Sequence, residues 1–572
     1  MKIYVYILIV CCLLSFVSCS GDDGQGGENQ DEAQKITETK KEELFSNKDY
    51  DTDTSSSSPI ILKENDATAD SSGVDSKAGL VTINDGGTYT ISGAFQGMIV
   101  VNAKDSDKPH IILNGAEIIS DTSAAIYVKN ADKVFITLSE GSVNKLSNGG
   151  SFTAIDDSNI DSVIFSRSDL TLNGAGSLEI ISPAGHGIVS KDDLSITGGI
   201  YNITSASHGL SANDCVAVTG ASITLNTGKD GIHCENTADT SLGSVYLFDG
   251  EYSITSSGDG ISSSAELQIT GGTFDISSGG GAVNGEKKNN SYGGFPGRPG
   301  SSSSSDTDTD SESRKGIKCT GTLLIKGEYI NIDSADDAIH SNSTVLVEGG
   351  EFKISTGDDA FHADTSLTIS CGKIAVSESY EGLEAEHITI SGGDITIKAS
   401  DDGINASGGN DGSGYGGFGG PGDRFGSGSS STGSITISGG SVYVNASGDG
   451  IDANGSLTIS GGYTVVCGPT SGDTSVLDYD NSANITGGTF IGTGAYQMAQ
   501  TFSDSGQGVL SVSVGSMSAE TPILLTSSSG ETLINYTPSL GYQIIIISTP
   551  SMVKGESYTI TVGEASASFN AQ

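Results

Sequence analysis

The sequence predicts an all-β chain wound as a parallel β-helix, a solenoid in which each turn is one repeat. Three observations carry that prediction. Ser334–Ser407 lays over itself as four copies of one phrase: Asp336-Asp-Ala-Ile-His340, Asp358-Asp-Ala-Phe-His362, Tyr380-Glu-Gly-Leu-Glu384 and Asp401-Asp-Gly-Ile-Asn405, at steps of 22, 22 and 21 residues. A constant period of this length marks stacked repeats that share one core. Between the copies runs a glycine phrase followed by alternating apolar residues, as in Val347-Glu-Gly-Gly350-Glu-Phe352-Lys-Ile354. Alternation puts every second side chain on one face of a strand. No i, i+3, i+4 pattern competes, which leaves short strands with Gly or Asp corners, stacked about 4.8 Å apart.

In chain order, Met1–Cys19 is a short apolar run with one Lys, closing on Ser15-Phe-Val-Ser-Cys19 ahead of a polar stretch. This is an export signal, and its final Cys reads residues 1–19 as a lipoprotein-type signal peptide with Cys19 as the acylated first residue of the mature chain. Residues 20–75 are rich in Asp, Glu, Ser, Thr and Lys with few large apolar residues, and read as a disordered acidic linker. Residues 76–493 read as the parallel β-helix, opening with irregular strands that serve as N-terminal cap and first rungs. From about Ser162 the period is regular. Counting back from the glycine pairs gives one apolar column through Ile196, Val218, Leu247, Ile269, Leu324, Val347 and Ile369. Counting forward gives another through Tyr201, Ile223, Tyr252, Phe274, Tyr329 and Phe352. Aliphatic residues share this second column, so its rings are expected to stack in the core and not to face a sugar.

Gly- and Ser-rich insertions at 285–314 and 408–433 break the period and are expected to leave the coil from one edge. Their composition suits either flexible spacers or binding loops that present Tyr292, Phe295, Tyr415, Phe418 and Phe425. Residues 494–572 lose the period and read as an antiparallel C-terminal β cap, which an open solenoid end requires.

With 71 acidic and 27 basic residues, a net charge of −44 argues against nucleic acid, whose phosphates it repels. Cys215, Cys234, Cys319, Cys371 and Cys467 are irregularly spaced and form neither a disulfide framework nor a zinc motif.

The chemistry is expected along one edge. His186, His208, Asp230, Asp259, Lys315, Asp337, Asp359, Glu381, Asp402 and Asp449 occupy one column. Three residues further on stand Val189, Ser211, His233, Ser262, Lys318, His340, His362, Glu384, Asn405 and Asp452. Carboxylates one rung apart repel by roughly 1–4 kcal/mol, so a succession of them needs a counterion. Hard oxygen donors in a rigid array suit Ca²⁺, and candidate ligands are Asp336, Asp337, Asp358, Asp359, Asp364, Glu381, Glu384, Glu386, Asp401 and Asp402. The alternative is that each Asp caps its corner by accepting backbone N–H groups.

Ser190-Lys-Asp-Asp-Leu-Ser-Ile-Thr-Gly-Gly199, Lys315-Gly-Ile-Lys318, Asp336-Asp-Ala-Ile-His-Ser-Asn342 and Ser548-Thr-Pro-Ser-Met-Val-Lys-Gly-Glu-Ser-Tyr-Thr-Ile560 together resemble the bacterial carbohydrate-binding domain-containing β-helix family. The resemblance spans roughly Lys77–Gly563. It implies a right-handed, polysaccharide-lyase-like parallel β-helix that holds Ca²⁺ between rungs, binds cellulose-like or acidic pectin-like polysaccharide and lacks enzymatic activity. His186 and His208 depart from the family's pattern, where an acid is usual.

The expected protein is thus an exported, membrane-anchored lipoprotein of the cell surface. It is expected to be monomeric and to bind polysaccharide with Ca²⁺, assisted by Lys315, Lys318 and the loop aromatics, and to touch the membrane only through Cys19. Two other readings stand beside it: a uronate lyase using Ca²⁺ with Lys318 as base, and a non-carbohydrate adhesin or scaffold. Charge compensation is the simpler explanation of Lys315 and Lys318.

Overall fold

The computed structural model describes residues 40–286, 313–407, 432–470 and 474–572. Alternation translates directly into burial: in the strand Glu351–Thr356, Phe352, Ile354 and Thr356 point inward while the residues between them face outward. One turn of the chain contributes the strands Tyr329–Ser334, Ile339–Ser341 and Thr344–Val347. Each pairs in parallel with its counterpart one turn later, in the registers Ile330↔Phe352, His340↔His362 and Val347↔Ile369. Repetition of this pairing builds an all-β, parallel-dominated sheet that winds as a solenoid around one continuous core.

Close stacking dictates small residues at the corners. Gly350 has a φ of 106°, and a Cβ there would lie 2.4 Å from the carbonyl oxygen of Gly327 on the rung before. At Gly382, directly after the acidic column, a Cβ would lie 2.3 Å from the carbonyl oxygen of Gly403.

Counting from glycine pairs misplaces one rung. The first apolar column runs Leu247–Ile269–Ile325–Val347, and the second runs Phe274–Ile330–Phe352. Leu324 and Tyr329 are therefore each one residue out, because this repeat reads Lys326-Gly327-Glu328, with its one glycine in the first place of the pair and Glu328 in the second. The aromatic column itself is internal: Tyr201, Tyr252 and Phe274 are buried, with the rings of Tyr252 and Phe274 stacked at 4.4 Å.

The expected linker is corrected from Lys40 onward. Phe45 is buried edge-on against Phe248 at 5.9 Å, and Lys41 donates to Thr219 Oγ1 at 3.0 Å. Asp49 is buried, accepting from Lys133 Nζ at 2.7 Å and Thr171 Oγ1 at 2.6 Å. This short strap lies across the flank of the coil, and Ser58–Glu64 already pairs in parallel with Thr88–Gln96. A single Phe and one buried ion pair, each too sparse to alter local composition, do the anchoring. Cys19, the signal segment 1–19 and residues 20–39 lie outside the described residues.

The insertions attach at two corners, not one edge. The first lies between the strands Thr273–Ser278 and Ile317–Cys319, ahead of Lys315, and the second lies between Ile404–Asn405 and Gly433–Ile437. They therefore flank, on opposite sides, the short strands that carry Lys318, His340, His362 and Glu384. Beyond Thr489–Gly494, after one last short parallel pairing at Asp504–Ser505, the pairing turns antiparallel through Tyr542–Ser548 and Val509–Met517. Ile523–Ser527, Thr532–Tyr536, Ser557–Val562 and Ala565–Asn570 form a separate antiparallel sheet.

Candidate functional site

The acidic column is first of all a structural ladder. Asp230 Oδ1 accepts the backbone N–H of Asp259 at 2.8 Å, Asp259 Oδ1 that of Lys315 at 2.7 Å, and Asp337 Oδ1 that of Asp359 at 3.1 Å. Asp359 Oδ1 serves Glu381 at 3.1 Å and Asp402 Oδ1 serves Asp449 at 2.6 Å. His186 and His208 fill the same role through Nδ1, accepting from the next rung's N–H at 3.3 and 3.1 Å. An imidazole can replace the carboxylate here only when neutral, with its proton on Nε2. Burial, reinforced by the charge of His233, pushes His208 down to about 3, and burial with Lys191 pushes His186 down to about 4.

Since one oxygen of each of these acids is committed to the ladder, the chemistry rests on the second. At Asp336, Asp337 and Asp358, which can bring one oxygen each within 4.8 Å of the others, the chain supplies its own cation. Lys315 Nζ lies 2.5 Å from Asp337 Oδ2 and 3.0 Å from Asp336 Oδ1, and His340 Nδ1 adds a contact to Asp337 at 2.8 Å. Burial alone would raise Asp337, but the Lys315 charge and the His340 hydrogen bond hold it well below the carboxylate range.

At Asp359 and Glu384 the internal cation is His362. Its Nδ1 lies 2.7 Å from Glu384 Oε2 and 3.6 Å from Asp359 Oδ2, and its Nε2 lies 3.2 Å from Asp364 Oδ1. Burial opposes its protonation, yet hydrogen bonds to the three carboxylates raise it, while burial holds Asp359 itself well above the usual carboxylate range. Ser407 donates to the other Glu384 oxygen at 2.6 Å.

Asp402, Asp449 and Asp452 are different. They too can place one oxygen each within 4.8 Å of the others. Among the described residues, Asp402 and Asp452 form no ion pair. Burial, then the charges of Asp449 and Asp401, push Asp402 up to about 8; burial, then Asp449 and Asp478, push Asp452 up to about 7. Glu381, one rung earlier, is raised by burial and by Asp359. An all-oxygen donor set of this kind fits a hard divalent cation, whereas the two groups before it already contain nitrogen.

Upstream, the same edge opens into a pocket of about 390 Å³ lined by His208, Lys229, Asp230, His233, Ser262, Asp259 and Lys318, among others. His233 Nδ1 lies 2.8 Å from Asp230 Oδ2, and the rings of His208 and His233 stack at 4.2 Å. Lys318 Nζ lies 3.8 Å from Asp259 Oδ2.

Residues 77–360 match a family described as carbohydrate-binding domain-containing protein. That segment belongs to the family. A carbohydrate-binding domain-containing protein of Acetivibrio thermocellus is 36% identical over 122 residues, covering 21% of this chain; the chain spans 43% of that relative's length. The structure of a polysaccharide lyase-like protein from C. thermocellum, a gadolinium derivative, is similar at 23% identity and a TM-score of 0.37, covering 51% of this chain and 96% of that one. The matched segment includes the pocket and the Lys315 group but ends before Asp402, Asp449 and Asp452.

The ten expected metal ligands thus divide. Asp336, Asp337 and Asp358 gather around Lys315, and Asp359, Glu384 and Asp364 around His362. Glu381 accepts from Asn405 at 3.0 Å, Glu386 accepts from Thr432 at 2.6 Å, and Asp401 lies beside Tyr380 without joining a ligand group. Asp402 joins Asp449 and Asp452, which the columns contain but the expected ligand set omits. Lys315, expected to assist glycan binding, is 6% exposed and clamped on two carboxylates, which corrects that role to charge compensation. Lys318 does face solvent, in the pocket. Tyr292, Phe295, Tyr415, Phe418 and Phe425 lie outside the described residues. A further acidic group, Asp192, Asp193 and Asp214, stands on a different corner and has no counterpart in the repeated phrase.

Proposed function

We propose that this chain is a non-catalytic, Ca²⁺-dependent polysaccharide-binding protein, exported and held at the cell surface by a lipid on Cys19. Its coil is right-handed, closed at its ends by the N-terminal segment and the antiparallel C-terminal strands, and acts as a monomer. Membership of a carbohydrate-binding family supports a polysaccharide partner, either cellulose-like or acidic. The observation that carries calcium is the oxygen-only group Asp402, Asp449 and Asp452, where two half-buried carboxylates are pushed up to about 8 and about 7 by desolvation and by the charge of Asp449. These residues would hold the ion. Bound there, it supplies positive charge at the surface of a chain of net charge −44, which otherwise repels an acidic glycan.

Calorimetric titration of metal-stripped protein with Ca²⁺, then with polygalacturonate and with cello-oligosaccharide, tests this reading. Ca²⁺ uptake followed by glycan binding, both lost in Asp402→Asn/Asp452→Asn, is the expected result. Ca²⁺ uptake with no glycan binding in its wake leaves the ion structural. A second reading, a uronate lyase, draws on Lys318 facing the pocket, where its amine would take the proton alpha to a sugar carboxylate. Absorbance from an unsaturated product decides it, and no product across a broad substrate panel removes it.

A further inference from the structure

The pocket on the same edge is chemically unlike the carboxylate group downstream. Its acids are spent internally. Asp230 gives Oδ1 to the N–H of Asp259 at 2.8 Å and Oδ2 to His233 at 2.8 Å. Asp259 gives Oδ1 to the N–H of Lys315 at 2.7 Å, and its side chain is 3% exposed. What faces solvent is cation and hydroxyl on the strand column, with one exposed carboxylate, Glu235, at the edge of the lining. His233, Ser262 and Lys318 stand in register on three successive rungs of one column. Their neighbours on the following rung, His340 and then His362, are turned inward to carboxylates.

Lys318 has a side chain 31% exposed, and its contact with Asp259, at 3.8 Å, is longer than a hydrogen bond. Its ammonium donors are therefore available to a ligand. His233 is 22% exposed, with Nε2 3.6 Å from Glu235, which also lines the pocket. Successive rungs lie about 4.8 Å apart, so His233 and Lys318 are separated by about 10 Å with a hydroxyl between them. That spacing suits a short stretch of sugar chain lying along the column.

From these positions we infer that the pocket is a second glycan subsite, independent of calcium, in which Lys318 takes the anionic group of an acidic sugar while Ser262 and His233 take its neighbouring oxygens. The inference rests on the polysaccharide-binding reading and adds to it a metal-free way of recognising charge. In a chain of net charge −44, a solvent-facing Lys over a cavity is the complement of an anion and of little else.

The experiment is calorimetric binding of trigalacturonate, of a sulfated disaccharide and of cellotriose to the full chain in excess chelator, where any calcium-bridged binding is silent. Trigalacturonate or the sulfated sugar is expected to bind with cellotriose failing to, and the comparison of the two anions tells carboxylate from sulfate. Lys318→Met is expected to weaken that binding by about tenfold or more, since one charge-assisted hydrogen bond is lost, with Tm unchanged because the side chain points outward. Asp402→Asn/Asp452→Asn is expected to leave it intact. No anionic binding in chelator, equal binding of cellotriose, or an undiminished Lys318→Met overturns the inference. If chelator-resistant binding persists while added Ca²⁺ changes nothing, the calcium reading fails and this one stands.

Discussion

Two stretches of the same edge solve one electrostatic problem in opposite ways. From His186 to Glu384 nitrogen groups are interleaved with the acids: His186 and His208 replace carboxylates with neutral imidazoles, Lys315 lies between Asp336 and Asp337, and His362 lies among Asp359, Asp364 and Glu384, although burial still holds Asp359 and Glu381 well above the usual carboxylate range. From Asp402 to Asp452 the carboxylates continue, and the pKa values climb to about 8 and about 7. Stacking at strand spacing imposes the repulsion in both places. The contrast teaches that a column of acids is not by itself a row of metal sites: a rung that holds an internal cation has no need of an external one.

The comparison breaks most sharply at Lys315. Lys315→Met leaves Asp337 buried without its ammonium, and denaturant unfolding is expected to lose about 3–5 kcal/mol. Ca²⁺ should recover part of that loss, because the variant turns an internally neutralised rung into one that resembles the downstream group. A loss that divalent ions do not touch would separate the two stretches in kind and not merely in charge.

Downstream, Ca²⁺ at about one hundred times its Kd is expected to stabilise the chelated protein by about 2.7 kcal/mol. The rise in Tm should vanish in Asp402→Asn/Asp452→Asn and survive in His208→Asn.

The two stretches should also answer pH with opposite signs, read rung by rung by amide hydrogen exchange in chelator. His186 and His208 have folded pKa values depressed to about 4 and about 3, so their contribution is present above the ordinary histidine value near 6.5 and fades as pH falls toward the folded values. Asp402 and Asp452 have raised folded values, so their rungs are firmest below the ordinary aspartate value near 3.9 and loosen as pH rises through about 7 to 8. Saturating Ca²⁺ should abolish the second dependence and leave the first. The smallest effect lies at the junction: Ser407→Ala removes one hydrogen bond to Glu384 and is expected to cost about 1 kcal/mol by denaturant titration.

Much of this edge is legible in the chain. Repetition of Asp336-Asp-Ala-Ile-His340 at a constant step puts His340 and His362 side by side, and the two stack at 4.8 Å in the folded protein. The Asp corner acting on a backbone N–H is legible too, as a property of the residue type. Which second oxygens meet a cation is not, because Lys315 reaches along the stack to the next rung while Lys318, three residues on, turns outward. Where a single glycine replaces the usual pair at Gly327, counting from the motif slips by one residue, and only hydrogen-bonded register restores Ile325 and Ile330 to their columns.

By itself the sequence determined that the chain is a solenoid, which residues share a column on every regular rung but that of Gly327, and that one edge is acidic, since period and alternation are local properties that survive without any knowledge of contacts. The tertiary structure decided which of those acids are neutralised and that a strap led by Phe45 and Asp49 docks on the flank. Those outcomes depend on side-chain direction and on single contacts between residues far apart in the chain, Asp49 with Thr171 among them. No periodic pattern encodes them.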